Sequence, residues 1–292
     1  MPASASRASA DGMSPVNVIR LLIFHATALL VFWVGISWPA FLVFIAAYLL
    51  RSFAISAGYH RYFSHQSFRT SRGFQFVLAA LGCTSGQRGP LSWATSHRLH
   101  HQHADHEGDP HSPVLEGFWH AHLGWFLQKD PLPTGDPEIR RFEDTPEILW
   151  LNRHHGLVFL LYLAALYGLG WTLAFFFPET GATGAQFVVW GGIISTLLIL
   201  HATCLINSVT HICGRRDYPT PDGSRNVAWL FPLTFGENWH NTHHRYPWSA
   251  NTGLKAGHSD WIFAVLRLLE RFHIVHDVKD AKARDKEDQS HI

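Results

Sequence analysis

Two segments of this chain carry histidine in the same arrangement: His97-Arg98-Leu99-His100-His101 and His240-Asn241-Thr242-His243-His244 both read His-x-x-His-His. A third group, His60-Arg61-Tyr62-Phe63-Ser64-His65, lies upstream. Neutral imidazole binds transition metals, and several converging imidazoles make a metal centre. The three groups offer eight imidazoles, more than one tetrahedral zinc takes. The count points to two metal ions sharing one site. On a helix, positions i, i+3 and i+4 share a face, so each His-x-x-His-His aims three imidazoles the same way. His60 and His65 are five apart, about 140° around an ideal helix. Both reach one site only if the first ends a helix and the second begins a bend.

Asn207 and His211, at i and i+4, are a further candidate pair. An interfacial His beside a helix-capping Asn is the competing reading for them. For the clusters as a whole, the competing reading is a set of solvated or membrane-interface side chains. An all-imidazole set suits Zn, Cu, Fe or Ni. Structural zinc would close its shell with four ligands and favour Cys. A larger His set beside an apolar bundle fits a dinuclear redox centre, and iron, better. Such a centre can activate O2 against a substrate drawn from lipid.

Composition supplies the setting. Of 292 residues, 47% are hydrophobic, 14% aromatic and only 15% charged, as in a membrane protein with a sizeable polar part. A net charge of +1 implies no basic face and no nucleic-acid partner. Cys83, Cys204 and Cys213 have neither metal-type nor disulfide-framework spacing. The Ser- and Ala-rich residues 1–15 read as disordered. Residues 16–276 read as one domain, and 277–292 as a charged, solvated tail. No cleavable signal peptide or ER-retention signal is evident.

Residues 21–50 contain no Asp, Glu, Lys or Arg. A membrane-spanning helix needs about 20 apolar residues, and the pattern predicts four, at about 18–37, 40–58, 156–177 and 185–206. They form two hairpins, turning at Ser37-Trp38-Pro39 and at Pro178–Gly184. The expected fold is therefore all-α, a four-helix membrane stem with a helical cap holding the His-rich dinuclear site. None of the 23 Lys and Arg lies in either turn. By the positive-inside rule, both termini and the cap face the cytoplasm. That topology puts all three His groups on one side of the bilayer, as a shared site requires. Residues 73–91 read as a buried or interfacial segment. Of ionisable side chains, His25 and His201 approach mid-bilayer.

The combination His-x4-His, His-x2-His-His, Asn-x3-His and His-x2-His-His resembles the integral-membrane fatty acid desaturases, and more narrowly their acyl-CoA Δ9 branch. Local words agree: Gly58-Tyr59-His60-Arg61, Trp93 ahead of His97-Arg98, Asp109-Pro110-His111 and Gly236-Glu237-Asn238-Trp239-His240-Asn241. The resemblance covers about residues 20–275. It implies two iron ions held by His60, His65, His97, His100, His101, His211, His240, His243 and His244, with Asn207 acting through a metal-bound water. It also implies a fatty acyl substrate, O2 as co-substrate, and a separate electron donor such as a ferredoxin, a rubredoxin or cytochrome b5. The reaction implied puts a cis double bond into a saturated chain. An unactivated methylene has no acidic proton for a carboxylate base to take, so a redox cofactor must carry the chemistry.

Glu237 and Asp109 are expected to hold ligand N–H groups; for Asn241 a plain capping role is the stronger reading. Gln87, Arg88 and Trp93 are candidates for the substrate's head end. Phe44, Tyr48, Leu49 and Phe53, stepping back along the second helix, are candidates for a chain-length tunnel. In one place the chain departs from the family: Thr95-Ser96 stand where the animal acyl-CoA enzymes have an Arg-Asp pair that contacts CoA. A related di-iron hydroxylase or acyl-lipid desaturase is the first alternative. A metal transporter or haem protein is more remote, because it would place polar groups at mid-bilayer. A bacterial cytoplasmic membrane is the expected location.

Overall fold

The structure is a computed structural model and describes residues 13–128 and 136–290. Among the described residues, four helices are long and apolar enough to span a bilayer: α1 (Pro15–Val34), α2 (Trp38–Ser64), and, further along, Pro146–Phe176 and Gly184–Val209. Two cap helices lie between these pairs, α3 (Arg72–Cys83) and α4 (Pro90–His103), followed by the short α5 (Phe118–His122). The second spanning pair is then α6 (Pro146–Phe176) and α7 (Gly184–Val209). The rest of the cap holds α8 (His240–Arg245), α9 (Trp261–Arg271) and α10 (Lys282–Ser290). A two-residue antiparallel pair, β1 (Arg69–Thr70) with β2 (Val275–His276), ties the two parts of the cap together.

The membrane-protein reading and the four-helix stem stand, and the helix ends shift for local reasons. Gly35, in the left-handed region at φ 62°, ends α1. Ser37 then caps α2, its Oγ accepting from Ala40 N at 3.4 Å. Pro39 thus sits in the first turn of α2, where proline costs no hydrogen bond. Helix α6 begins ten residues before the predicted start. The polar run Asn152–His155 ends the apolar pattern but only kinks the helix, with non-helical φ/ψ at His154. Residues 73–91 do not span: α3 packs on α2 and α6, burying Leu78, Ala79 and Cys83.

Two polar features lie inside the stem. Arg51, which the sequence reading did not single out, lies within α2, fully buried. Its guanidinium donates to Thr84 O at 2.8 Å, Thr196 Oγ1 at 2.6 Å, Gly191 O at 3.0 Å and Ser195 Oγ, which makes a cation tolerable there. His25 and His201 meet Nε2 to Nε2 at 3.1 Å, and His201 passes on to His122 of α5 at 3.0 Å.

Most side chains of the tail are exposed, but the tail is also tied to the rest of the chain. Tyr218 donates to Asp285 at 2.7 Å, and Arg245 and Tyr246 both reach Asp288 at 2.8 Å, so α10 docks on the cap. Of the segment read as disordered, residues 1–12 lie outside the described residues, and Ser14 N donates to Leu127 O at 2.7 Å.

Candidate metal centre

Residues Ala54–Ser64, the last part of α2, are wound as a π-helix. Its i→i+5 hydrogen bonds set residue i+5 over residue i, and His65 N donates to His60 O at 3.2 Å. This answers the spacing problem: the rings of His60 and His65 come within 5.1 Å without a sharp bend between them. Helix α4 presents His97, His100 and His101 on one face, α8 presents His240, His243 and His244, and His211 follows the end of α7.

These nine histidines form two adjoining sets. In the first, His60, His65, His97 and His243 bring ring nitrogens within 4.8 Å of one another, and His101 Nε2 lies 3.1 Å from His97 Nε2 and 2.8 Å from His243 Nε2. In the second, His100, His211, His240 and His244 do the same. The sets abut where the rings of His101 and His244 stack at 4.4 Å.

Four of these rings are clamped from behind by carboxylates. His60 Nδ1 meets Glu237 Oε2 at 2.5 Å, His100 Nδ1 meets Asp109 at 3.0 Å, His211 Nδ1 meets Asp105 at 2.8 Å and His244 Nδ1 meets Asp222 at 2.8 Å. A carboxylate on Nδ1 fixes the tautomer and leaves a bare lone pair on Nε2. Those lone pairs then face one another: His211 and His244 Nε2 each lie 3.0 Å from His240 Nε2, which as a neutral ring has at most one proton to give. His100 Nε2 is buried with no hydrogen-bond partner. Converging acceptors with an orphaned buried nitrogen are the donor set a cation satisfies. The four outer carboxylates offset the charge that two divalent ions would bring.

Asp109 and Glu237 thus lie where the sequence pointed. Asp105 and Asp222 were missed: Asp105 sits in the His97–His111 word and could have been weighed, whereas nothing near Asp222 in sequence announces it. Asn241 is structural: its Oδ1 accepts from Asp217 N and Tyr218 N, both at 2.8 Å.

Loss of water contact, with the neighbouring imidazoles adding to it, holds His65, His97, His101, His240, His243 and His244 well below the ordinary histidine range. Burial works against the charge on Asp105, but its bond to His211 still leaves it below the usual carboxylate range. The sign for stability follows. Between about pH 6.5, where unfolded histidine titrates, and the depressed folded values, the unfolded chain takes up protons that the folded chain does not. Metal-free protein is therefore expected to lose thermal stability as pH falls from 7.5 to 5.5. Differential scanning fluorimetry after chelation checks this; a rising or flat midpoint would contradict it.

An apolar cavity opens onto both metal sets, touching His60 and His97 of the first and His100 and His240 of the second. Ser52, Ile55, Ser56, Ile199, Ala202, Ile206 and Leu233 line it, with Trp93, Thr203 and Asn207 near the histidines. Gln87 accepts from Trp93 Nε1 at 3.3 Å and donates to Thr203 at 3.1 Å, beside the cavity, and Arg88 lies over the rings of Trp125 and Phe126. None of the tunnel candidates on α2 lines this cavity directly: Tyr48 lies behind its wall, donating to Leu233 O at 2.6 Å, Phe53 packs on the core, and Phe44 and Leu49 are not among the lining residues. The α2 face that lines it is one turn on, at Ser52, Ile55 and Ser56.

Residues 36–267 match the family model described as fatty acid desaturase. The chain is 37% identical over 243 residues to "Delta-9 acyl-lipid desaturase 2" of Arabidopsis thaliana, covering 83% of this chain and 76% of that one. It is 34% identical to "sn-2 palmitoyl-lipid 9-desaturase" of Nostoc sp., covering 90% and 89%. It is 33% identical to "Hex-5-enoyl-[acyl-carrier protein] acetylenase" of Moorena producens, covering 90% and 84%. This chain belongs to the fatty acid desaturase family: a membrane oxidoreductase that desaturates fatty acyl chains.

Proposed function

We propose that this protein places a cis double bond at Δ9 of a saturated acyl chain carried on a membrane lipid. The observation that carries the reading is the doubled, carboxylate-clamped histidine set facing an apolar cavity. The overall change is –CH2–CH2– + O2 + 2 e⁻ + 2 H⁺ → –CH=CH– + 2 H2O. Two irons held by the nine histidines, with Asn207 contributing through a water, would supply the O2 chemistry. Glu237, Asp109, Asp105 and Asp222 orient the rings. The cavity walls exclude water and fix which carbons lie beside the histidines. Electrons come from a separate donor such as a ferredoxin, a rubredoxin or cytochrome b5. Both termini and the site face the cytoplasm of a bacterial membrane.

The lipid carrier replaces the acyl-CoA expected from sequence words alone. The relatives' names favour it. So does the cap: the Thr95 and Ser96 hydroxyls are spent on Leu91 O and Ser92 O of their own helix, leaving no charged pair for CoA.

The test is iron per chain with product analysis. Purified protein in lipid, given a donor system and O2, should hold near two irons and convert a stearoyl lipid to a cis-9 product by mass spectrometry. Conversion of stearoyl-CoA alone would return the carrier to CoA, and a hydroxylated product would overturn desaturation. Filling the stem end of the cavity should also shift specificity. Ser52→Leu is expected to favour C16 over C18 substrates by about tenfold, as one or two methylenes' worth of space is lost. An unchanged product profile would remove Ser52 from the tunnel wall.

A further inference from the structure

Helix α9 buries one face and exposes another apolar one. Asp260 caps its start, accepting from Phe263 N at 2.8 Å, and Ile262 and Leu266 pack inward. Trp261 (55% exposed), Val265 (40%), Leu268 (50%) and Phe272 (68%), at i, i+4, i+7 and i+11, stand in one line on the surface. Arg267 and Arg271 flank that line. The neighbouring loop adds Trp229, 63% exposed. Four large apolar side chains in register are not the scattered exposure that needs no explanation.

The stripe continues the membrane-facing surface of the stem. Leu233, in the same loop as Trp229, is bonded through its carbonyl to Tyr48 of spanning helix α2. The neighbours of Tyr48 on that helix, Ile45, Leu49 and Leu50, are exposed at 38–57% and face lipid. An aromatic line runs from Tyr48 to Phe235 at 6.0 Å and from Phe235, stacked, to Trp261 at 5.8 Å. The cap's exposed stripe is thus joined to the spanning helix beside that helix's own exposed apolar residues. A helix with an apolar face, flanking arginines and tryptophans at its edge is built to lie in the headgroup region.

We propose that the exposed face of α9, with the Trp229 loop, is an interfacial anchor that seats the cap in the same bilayer the stem spans, Arg271 reaching a lipid phosphate while Arg267 pairs with Glu270. The anchor holds one wall of the site: Asp260 at the start of α9 pairs with Arg61 at 3.0 Å, Arg61 pairs with Glu237 at 2.8 Å, and Glu237 holds His60.

The full chain, with Cys213→Ser to remove the exposed thiol, is labelled with an environment-sensitive fluorophore at Phe272→Cys, or separately at Leu268→Cys. It is then reconstituted in vesicles of phosphatidylcholine and phosphatidylglycerol. Emission is expected to shift to the blue relative to a label at the exposed position Asp277→Cys. Lipids carrying a nitroxide near the headgroup should quench labels 268 and 272 at least twice as strongly as they quench the label at 277, and aqueous iodide should quench them less. Water-like emission with full iodide quenching at both sites would overturn the anchor. Shielding from both iodide and nitroxide lipid would also overturn it, since protein, such as a second copy of this chain, would then cover the stripe.

Discussion

If the proposed two irons occupy the histidine sets, His240→Ala should bring desaturated product below detection and lower the iron content from two per chain to one. His240 Nε2 is the point on which His211 and His244 converge, each at 3.0 Å, and His100 Nε2 is the orphaned nitrogen of the same set. Alanine leaves that ion three imidazoles and opens its shell to water. The other set, His60, His65, His97, His101 and His243, keeps its ligands. Removing a ligand does more than removing a clamp such as Asp222, whose loss by comparison should weaken metal retention about 10–100-fold. Metal analysis beside product analysis checks this, with His273→Ala, on the cap surface away from both sets, as control. Two irons retained by an active His240→Ala protein would overturn the ligand assignment.

Asp260→Asn should destabilise the fold by about 3–5 kcal/mol, the cost of stripping one partner from a buried ion pair, or roughly a 10 °C fall in thermal midpoint. Arg61 is 1% exposed and held between Glu237 and Asp260. Asparagine keeps the volume and one oxygen to cap α9, but its amide nitrogen cannot accept from Thr252 N and Oγ1 as Asp260 Oδ2 does, so a loss reports the second carboxylate oxygen and the charge together rather than a missing helix end. A second readout separates positioning from stability alone. With Asp260 gone, Arg61 leans on Glu237, which then grips His60 less well, so one iron of the pair should leave faster to a chelator at a temperature where the variant is still folded. An unchanged midpoint with unchanged chelator kinetics would show that the triad is not coupled to the site.

Much of this was legible in the sequence because it rests on spacing. Apolar runs set by bilayer thickness announced the four spanning helices, and the i, i+3, i+4 pattern defined two of the histidine faces. The rest depended on groups far apart in the chain. The His60–His65 pair looked awkward on an α-helix, and only the π winding of Ala54–Ser64 aligns it. Asp222 clamps His244 from a loop 22 residues away, and Asp105 clamps His211 across 106 residues. Arg51 drew no notice in the sequence, because the carbonyls and hydroxyls that hold it come from α7 and the loop after α3. Tyr48 read as tunnel lining, because helical periodicity fixes a face but not which neighbour that face meets.

The membrane stem and the histidine clusters on one side of it are written in local period and in hydrophobic length, both carried by neighbouring residues. Packing settles the rest: which carboxylate holds which imidazole, which turn of α2 lines the cavity, and that α9 leaves an apolar stripe at the surface. Each of these is a contact between segments distant in the chain, and a contact of that kind exists only once the core has packed.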